Sequence, residues 1–295
     1  MESGTIKYIC LNGDFVKANE PVLFIDNRSF RYGDALLENI HACGTEAQFL
    51  DIHLTRLKQS MQWLKMEVPA FFTWTAISGL ITRLLNKNRI FGGACIQLTV
   101  FRNIAADCPH DLPSPEKSAV SFALVSVPLA SDHYFLNPRG YTIDLYAEMP
   151  KPVQPLSFIK STSALFYAMA DLYRDEKKLD DCILINEKGH LVESAHSNLF
   201  LLRDETVYSP ATEEGCIPGV MRKMLMSLIP SAGKKIISDV PLVVSDLLSA
   251  DEVFLTNAVE GIRWVGAFRE KRYYRELPQQ LVHILNRMAF GKNEK

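Results

Sequence analysis

Apolar and polar residues first recur with the short periods of strands and turns. Ile6–Leu11, the turn Asn12-Gly13-Asp14 and Phe15–Lys17 form a β-hairpin pattern, because Asn-Gly suits a tight hairpin turn. Pro21–Ile25 reads as a short strand, and Asn39–Cys43 with Gln48–Leu50 as a second hairpin around Gly44-Thr45-Glu46. The period then becomes helical. Leu54, Leu57, Met61 and Leu64 share one helix face with Asp51 as its cap, and Ile77, Leu80, Ile81, Leu84 and Leu85 mark a helix over 73–86. Strands are expected at Cys95–Phe101 and Val120–Val127, separated by a loop over 103–117 with three prolines and one cysteine. Pro128–Asp132 reads as a linker, dividing a domain over 1–127 from one over 133–295.

The second half opens with a strand at Tyr141–Ala147 and a proline-broken run, Pro150 to Pro155. Ala164, Leu165, Ala168, Met169 and Leu172 recur at helical spacing just after Lys160. Cys182–Asn186, a turn over 186–189 and a return strand ending at Glu193 follow, then paired strands at Leu199–Leu202 and Thr206–Ser209. Pro218-Gly219 opens a helix. Strands at Glu252–Thr256 and Ile262–Ala267 precede a closing amphipathic helix over 277–290, bearing Leu281, Ile284, Leu285 and Met288.

Composition narrows the class. The chain has 295 residues, enough for two modest cores, and its 47% hydrophobic and 22% charged content is ordinary for a globular protein. A formal net charge of -2 supplies no broad field for neutralising phosphates, so a nucleic-acid partner is not expected. The basic stretch Arg269–Arg275 also holds Glu270 and two tyrosines and reads as a solvated loop. Cysteines at 10, 43, 95, 108, 182 and 216 follow no framework or CxxC spacing, and the seven histidines form no metal-ligand set, so no metal is expected. The first residues carry neither a basic nor an apolar leader segment, and no apolar run is long enough to span a bilayer. A cytoplasmic protein that does not engage membranes is expected.

Lys160 before a helix and Glu193 at the end of a hairpin can face each other across a cleft, an arrangement that suits a pyridoxal phosphate enzyme. By spacing alone both residues are better explained as solvated surface charges. Three further segments bear on the choice: VESAHSNLF, CIPGVMRKML and DEVFLTNAVEGI, in that order after Lys160. Together with Lys160 they resemble the signature of the class IV (fold type IV) pyridoxal phosphate enzymes, which include branched-chain aminotransferases, D-amino acid aminotransferases and aminodeoxychorismate lyases. The resemblance runs from about Asn12 to Phe268 and is strongest between Lys160 and Ala258.

The resemblance implies a two-domain α+β fold like that of the D-amino acid aminotransferases, with the cofactor pyridoxal 5'-phosphate between the domains. Lys160 would form the Schiff base and Glu193 would hold the pyridine nitrogen, with Asn198 also in the cofactor set. Arg56, in HLTRL, would bind the phosphate. The backbone N–H groups of Val220 and Met221 at a helix start would hold it too, with Ile217 against the ring. Asn257, Ala258 and Val259 would contact phosphate or substrate carboxylate, although Asn257 is equally suited to satisfying its own turn. Tyr32 and Leu37 would line the substrate side. Arg102, at a strand end, either meets a substrate carboxylate or forms a structural ion pair.

The chain departs from the family pattern at three places: Leu165 replaces a tyrosine of the branched-chain members, Leu37 replaces an aromatic residue, and Arg269–Tyr274 replaces a glycine-rich stretch. Three functions remain in view: an aminotransferase for a branched or other small amino acid, a lyase releasing pyruvate from aminodeoxychorismate, and a cofactor-binding protein without turnover. Amino acid and 2-oxo acid partners and a homodimer complete the expectation.

Overall fold

The computed structural model describes residues 7–103 and 120–291; Ile6, Cys108 and nearly all of the expected 103–117 loop lie outside the described residues. The chain divides into two compact units, one running to His133 with the addition of Lys160–Ala164, the other comprising Tyr134–Ile159 and the chain from Leu165 onward.

An antiparallel sheet forms the first unit: β1 (Tyr8–Leu11), β2 (Asp14–Lys17), β3 (Ala35–Cys43), β4 (Glu46–Ala47), β5 (Gly93–Arg102) and β6 (Val120–Pro128). Their order is β2-β1-β6-β5-β3-β4. Asn12 and Gly13 both take positive φ (53° and 99°), the twist that a two-residue hairpin turn needs. The helices are α1 (Arg28–Tyr32), α2 (Leu50–Trp63) and α3 (Trp74–Asn88). Leu54, Leu57 and Met61 of α2 and Ile77, Ile81, Leu84 and Leu85 of α3 are buried, each contributing roughly 1.5–3 kcal/mol. Thr73 caps α3 by accepting from the Ala76 N–H at 3.3 Å.

Three local expectations need correction. Asp51 does not cap α2: Phe49 holds the cap position in a left-handed conformation, and Asp51 sits in the first turn, where its charge still favours the dipole. No strand forms over 21–25, where Leu23, Phe24 and Ile25 are exposed and no neighbouring strand pairs with them. The second hairpin turns on Gly44-Thr45 alone, pairing Cys43 with Glu46 and Ala42 with Ala47, and Leu50 already belongs to α2.

Because β4 covers only one end of β3, the other end presents a free edge. There the Leu37 N–H donates to the Lys160 carbonyl at 3.0 Å, the Thr162 N–H donates to the Ala35 carbonyl at 2.9 Å, and Leu36 bridges Ser161. This pairing ties Lys160–Ala164 to the first unit and amends the expectation that the second half carries the lysine.

A mixed sheet organises the second unit. Its elements are β7 (Tyr141–Lys151), α4 (Leu165–Glu176), β8 (Asp181–Asn186), β9 (Leu191–Ser194), β10 (Asn198–Arg203), β11 (Thr206–Tyr208), α5 (Val220–Leu228) and β12 (Lys235–Ile237). After them come α6 (Val244–Ser249), β13 (Glu252–Asn257), β14 (Gly261–Phe268), β15 (Lys271–Arg272) and α7 (Glu276–Phe290). The strand order is β12-β11-β10-β13-β14-β7-β8-β9, with β15 on β14. Strands β7 and β8 are parallel, so α4 is the crossover between them. The face of α4 that packs inward is Phe166, Ala170 and Tyr173, against Tyr146, Cys182 and Leu184. The expected stripe is one position off: Leu165 is 76% exposed, and Met169 and Leu172 also face outward. The 269–275 stretch is not wholly solvated either. It forms β15, and buried Tyr273 donates its hydroxyl to the Leu247 carbonyl at 2.8 Å.

Candidate functional site

In the first unit, β3 and α2 together build a buried charged cluster. Glu38 projects from β3, while His53 and Arg56, three residues apart, lie on one face of α2. Arg56 holds Glu38 with both prongs of its guanidinium, Nε to Oε1 at 2.9 Å and an Nη to Oε2 at 2.5 Å. His53 Nδ1 lies 2.6 Å from Glu38 Oε2. Burial pulls the Glu38 pKa upward, yet the Arg56 charge and the hydrogen bonds from His53 and Arg56 together outweigh it and hold the carboxyl at about 2. His53 is pushed the other way: burial lowers its pKa, Glu38 opposes that, and the Arg56 and Lys160 charges reinforce it. The imidazole is therefore neutral, with Nδ1–H donating to Glu38. Its Nε2 is buried and has no hydrogen-bond partner among the described residues.

Lys160 stands beside this cluster, close enough for its charge to be felt at His53, and its backbone is zipped to Leu37. Tyr32 is the last residue of α1, directly before Gly33. Gly33 follows with φ +67°, and a Cβ there would lie 3.0 Å from the Ser163 backbone. Both the conformation and the close approach call for glycine. Arg102 is placed differently from a carboxylate receptor. It is buried, its Nη1 is 2.6 Å from Asp34, and its other Nη donates to the Leu64 carbonyl, so its guanidinium is committed to the fold.

In the second unit, Glu193 is the last but one residue of buried β9, which runs one residue beyond the expected end, and is 3% exposed. Its Oε2 accepts from the Ile217 N–H at 3.0 Å and from Asn198 Nδ2 at 3.3 Å. Asn198 Nδ2 also donates to the Ile217 carbonyl at 2.9 Å, fastening the start of β10 to the loop before α5. Gly219 is the N-cap of α5 and makes no side-chain cap, and the Val220 and Met221 side chains are buried behind it. A Cβ at Gly219 would fall 1.9 Å from Asn198 Oδ1, so any larger residue there would displace Asn198. The uncapped N–H groups and the dipole of α5 make an anion cradle, and the buried carboxylate of Glu193 suits a cationic ring nitrogen.

The turn after β13 is closed on itself. Asn257 Oδ1 accepts from the Val259 and Glu260 N–H groups at 3.0 and 2.8 Å, while Nδ2 donates to Glu260 at 3.0 Å and to Ser197 Oγ at 3.1 Å. Asn257 thus fixes the 257–260 turn and ties it to the loop after Glu193; the Ala258 carbonyl accepts from the Tyr134 hydroxyl at 3.2 Å.

Spacing gave no hint of Lys151 and Tyr167. Lys151 is buried, with Nζ 2.5 Å from Glu193 Oε1, and the Tyr167 hydroxyl lies 2.7 Å from Nζ and donates to the same oxygen at 2.8 Å. Lys151 ends β7 after a register shift relative to β8, which breaks the alternation that would have marked it as inward-facing. The partnership of Glu38 and His53 with Arg56 was likewise unforeseen. An open hollow of about 450 Å³ lined by Leu145, Ala147, Glu148, Tyr173, Lys177 and Arg269 holds none of these residues.

Known proteins are similar to this chain in sequence and in fold. A family model described as Amino-transferase class IV matches residues 35–268. A putative branched-chain-amino-acid aminotransferase of Methanocaldococcus jannaschii is 25% identical over 256 residues, 86% of this chain and 85% of that protein. An aminodeoxychorismate lyase of Vibrio harveyi is 24% identical over 243 residues, 81% and 84% of the two chains. The crystal structure of a branched-chain aminotransferase from Thermoproteus uzoniensis with norvaline has a TM-score of 0.86 at 20% identity, covering 97% of this chain and 96% of that one.

Proposed function

The chain belongs to the class IV aminotransferase family, and from that premise we propose that it moves an amino group between a branched or other small amino acid and a 2-oxo acid, using pyridoxal 5'-phosphate. The observation that carries this reading is the pairing, within one unit, of a buried carboxylate with an uncapped helix start. Glu193 suits the ring nitrogen, and the N–H groups at Val220 and Met221, relieved of a Cβ at Gly219, suit the phosphate.

When bound, the cofactor supplies an aldehyde that condenses with amines and a ring that accepts the electrons released as the α-proton leaves. The chain's residues do the rest. Lys160 Nζ holds the cofactor at rest and then carries the proton to and from the substrate carbon. Glu193 keeps a proton on the ring nitrogen through a charge-assisted hydrogen bond, with Asn198 and the Ile217 N–H fixing its orientation. Arg56 contributes charge toward the phosphate, its own orientation set by Glu38. Tyr32 and Leu37 border the substrate, and Ala258 and Val259 present their turn to the phosphate or the substrate carboxylate. The protein acts as a cytoplasmic homodimer; sedimentation at micromolar concentration giving monomer alone would contradict the assembly.

Two features of the sequence favour a lyase. Leu165 offers no hydroxyl where branched-chain members have a tyrosine, and the Thr256-Asn257-Ala258 turn is closer to the lyase pattern than to the branched-chain one. A half-reaction panel followed by absorbance separates the readings, with L-leucine, L-valine, D-alanine and aminodeoxychorismate as substrates. Conversion of the cofactor to its amine form with an amino acid is the expected result. Pyruvate release from aminodeoxychorismate without that conversion would establish the lyase instead, and silence with all four would leave a binding protein without turnover.

A further inference from the structure

We infer that Lys151 is a positioning residue for the reaction, its Nζ and the Tyr167 hydroxyl together holding Glu193 Oε1 and so fixing which carboxylate oxygen faces the cofactor. The inference rests on the cofactor reading above and adds a residue that no sequence motif contains.

A carboxylate has about four lone-pair sites. On Glu193 all four are addressed: Oε1 by Lys151 Nζ and the Tyr167 hydroxyl, Oε2 by the Ile217 N–H and Asn198 Nδ2. The two oxygens are unlike. Oε1 is bound by the cation at 2.5 Å, whereas Oε2 has neutral donors, one of them at the long distance of 3.3 Å. A ring nitrogen can displace the 3.3 Å contact, because Asn198 Nδ2 keeps its second bond to the Ile217 carbonyl. It cannot displace the ammonium without stranding a buried charge. Oε2 is therefore the oxygen left to the cofactor.

Lys151 is itself well held. Its Nζ also reaches the Ser157 carbonyl at 3.5 Å and lies 5.2 Å from the centre of the Tyr167 ring. The surroundings contribute little competing titration. Burial, then the Glu193 charge, drives the Tyr167 pKa far up, so its hydroxyl stays a donor. Burial and Glu193 together push the nearby Cys216 thiol up to about 12, so it stays neutral. Arg222, whose charge is felt at Cys216, is bonded to Ser209 and the Pro210 carbonyl. Lys151 thus supplies the counter-charge of Glu193, and removing one partner of a buried ion pair leaves the other uncompensated.

The test compares full-length wild type, Lys151→Met, Lys151→Arg, Glu193→Gln and the double variant Lys151→Met/Glu193→Gln, each loaded with pyridoxal 5'-phosphate. The visible cofactor band is titrated with pH in the absence of substrate. Lys151→Met moves the midpoint by about one pH unit or more, the size of effect expected from an adjacent charge, and Lys151→Arg restores it. In the Glu193→Gln background, Lys151→Met adds nothing, because the lysine acts through the carboxylate. A wild-type midpoint in Lys151→Met, or a further shift on top of Glu193→Gln, overturns the inference. If Lys151→Met does not fold, the comparison of the last two variants decides alone. Absence of any band in wild type defeats the cofactor reading instead. Lys151 is then judged by infrared spectroscopy, where a carboxylic acid band must appear in Lys151→Met and vanish in the double variant; its absence overturns the inference.

Discussion

Replacing Lys160 by alanine lowers amino-group transfer by at least about 10²–10⁴-fold, the contribution of a well-placed proton carrier, and removes the resting attachment of the cofactor as well. The fold is expected to survive. The tie between this segment and β3 runs through the Lys160 carbonyl and the Thr162 N–H, neither of which the substitution touches. Unfolding free energy should therefore stay within about 0.5 kcal/mol of wild type. Single-turnover absorbance measurements with a saturating amino acid, alongside denaturant unfolding, check both halves. Lys160→Ala retaining more than about a tenth of wild-type turnover would show that another amine does the work.

Glu38→Gln carries the largest stability effect. With the carboxyl held at about 2 against an ordinary value of 4.5, the charged form contributes roughly 3 kcal/mol. The folded pKa lies below the unfolded one, so this contribution is complete above about 4.5 and is lost as pH falls toward about 2. The variant should unfold about 3 kcal/mol more easily than wild type at pH 7, and the difference should shrink steadily as the buffer is taken from about 4.5 down to about 2. A difference independent of pH would mean that Glu38 supports the fold by shape alone. Because Arg56 is aimed by Glu38, weaker cofactor binding should accompany the loss.

The elements that carry the candidate residues were largely legible, because those residues lie in ordered, characteristic segments. The strand that carries Glu193, the glycine before α5 and the turn after β13 are each set by local chain geometry, and the structure gives those segments the expected elements. Contacts made across long sequence distances were not legible. Lys151 reaches Glu193 across 42 residues, through a strand whose alternation is broken by a register shift. Tyr167 was hidden for a different reason: Leu165, Met169 and Leu172 are the more apolar set, so periodicity pointed at them, while the aromatic residues Phe166 and Tyr173 supply the buried face. Arg102 shows the converse. A lone arginine at a strand end looks available in sequence, and only the fold brings Asp34 and the Leu64 carbonyl to it. The short elements β12 and α6 carry three and six residues, too few for a period to register.

Two lysines, half-buried Lys160 and buried Lys151, are the rival amines for holding the cofactor. Borohydride treatment of the protein loaded with pyridoxal 5'-phosphate, followed by digestion and mass spectrometry, identifies the labelled lysine directly. The label is expected on Lys160; a label on Lys151 or any other lysine, or none at all, would rule out Lys160 as the attachment point.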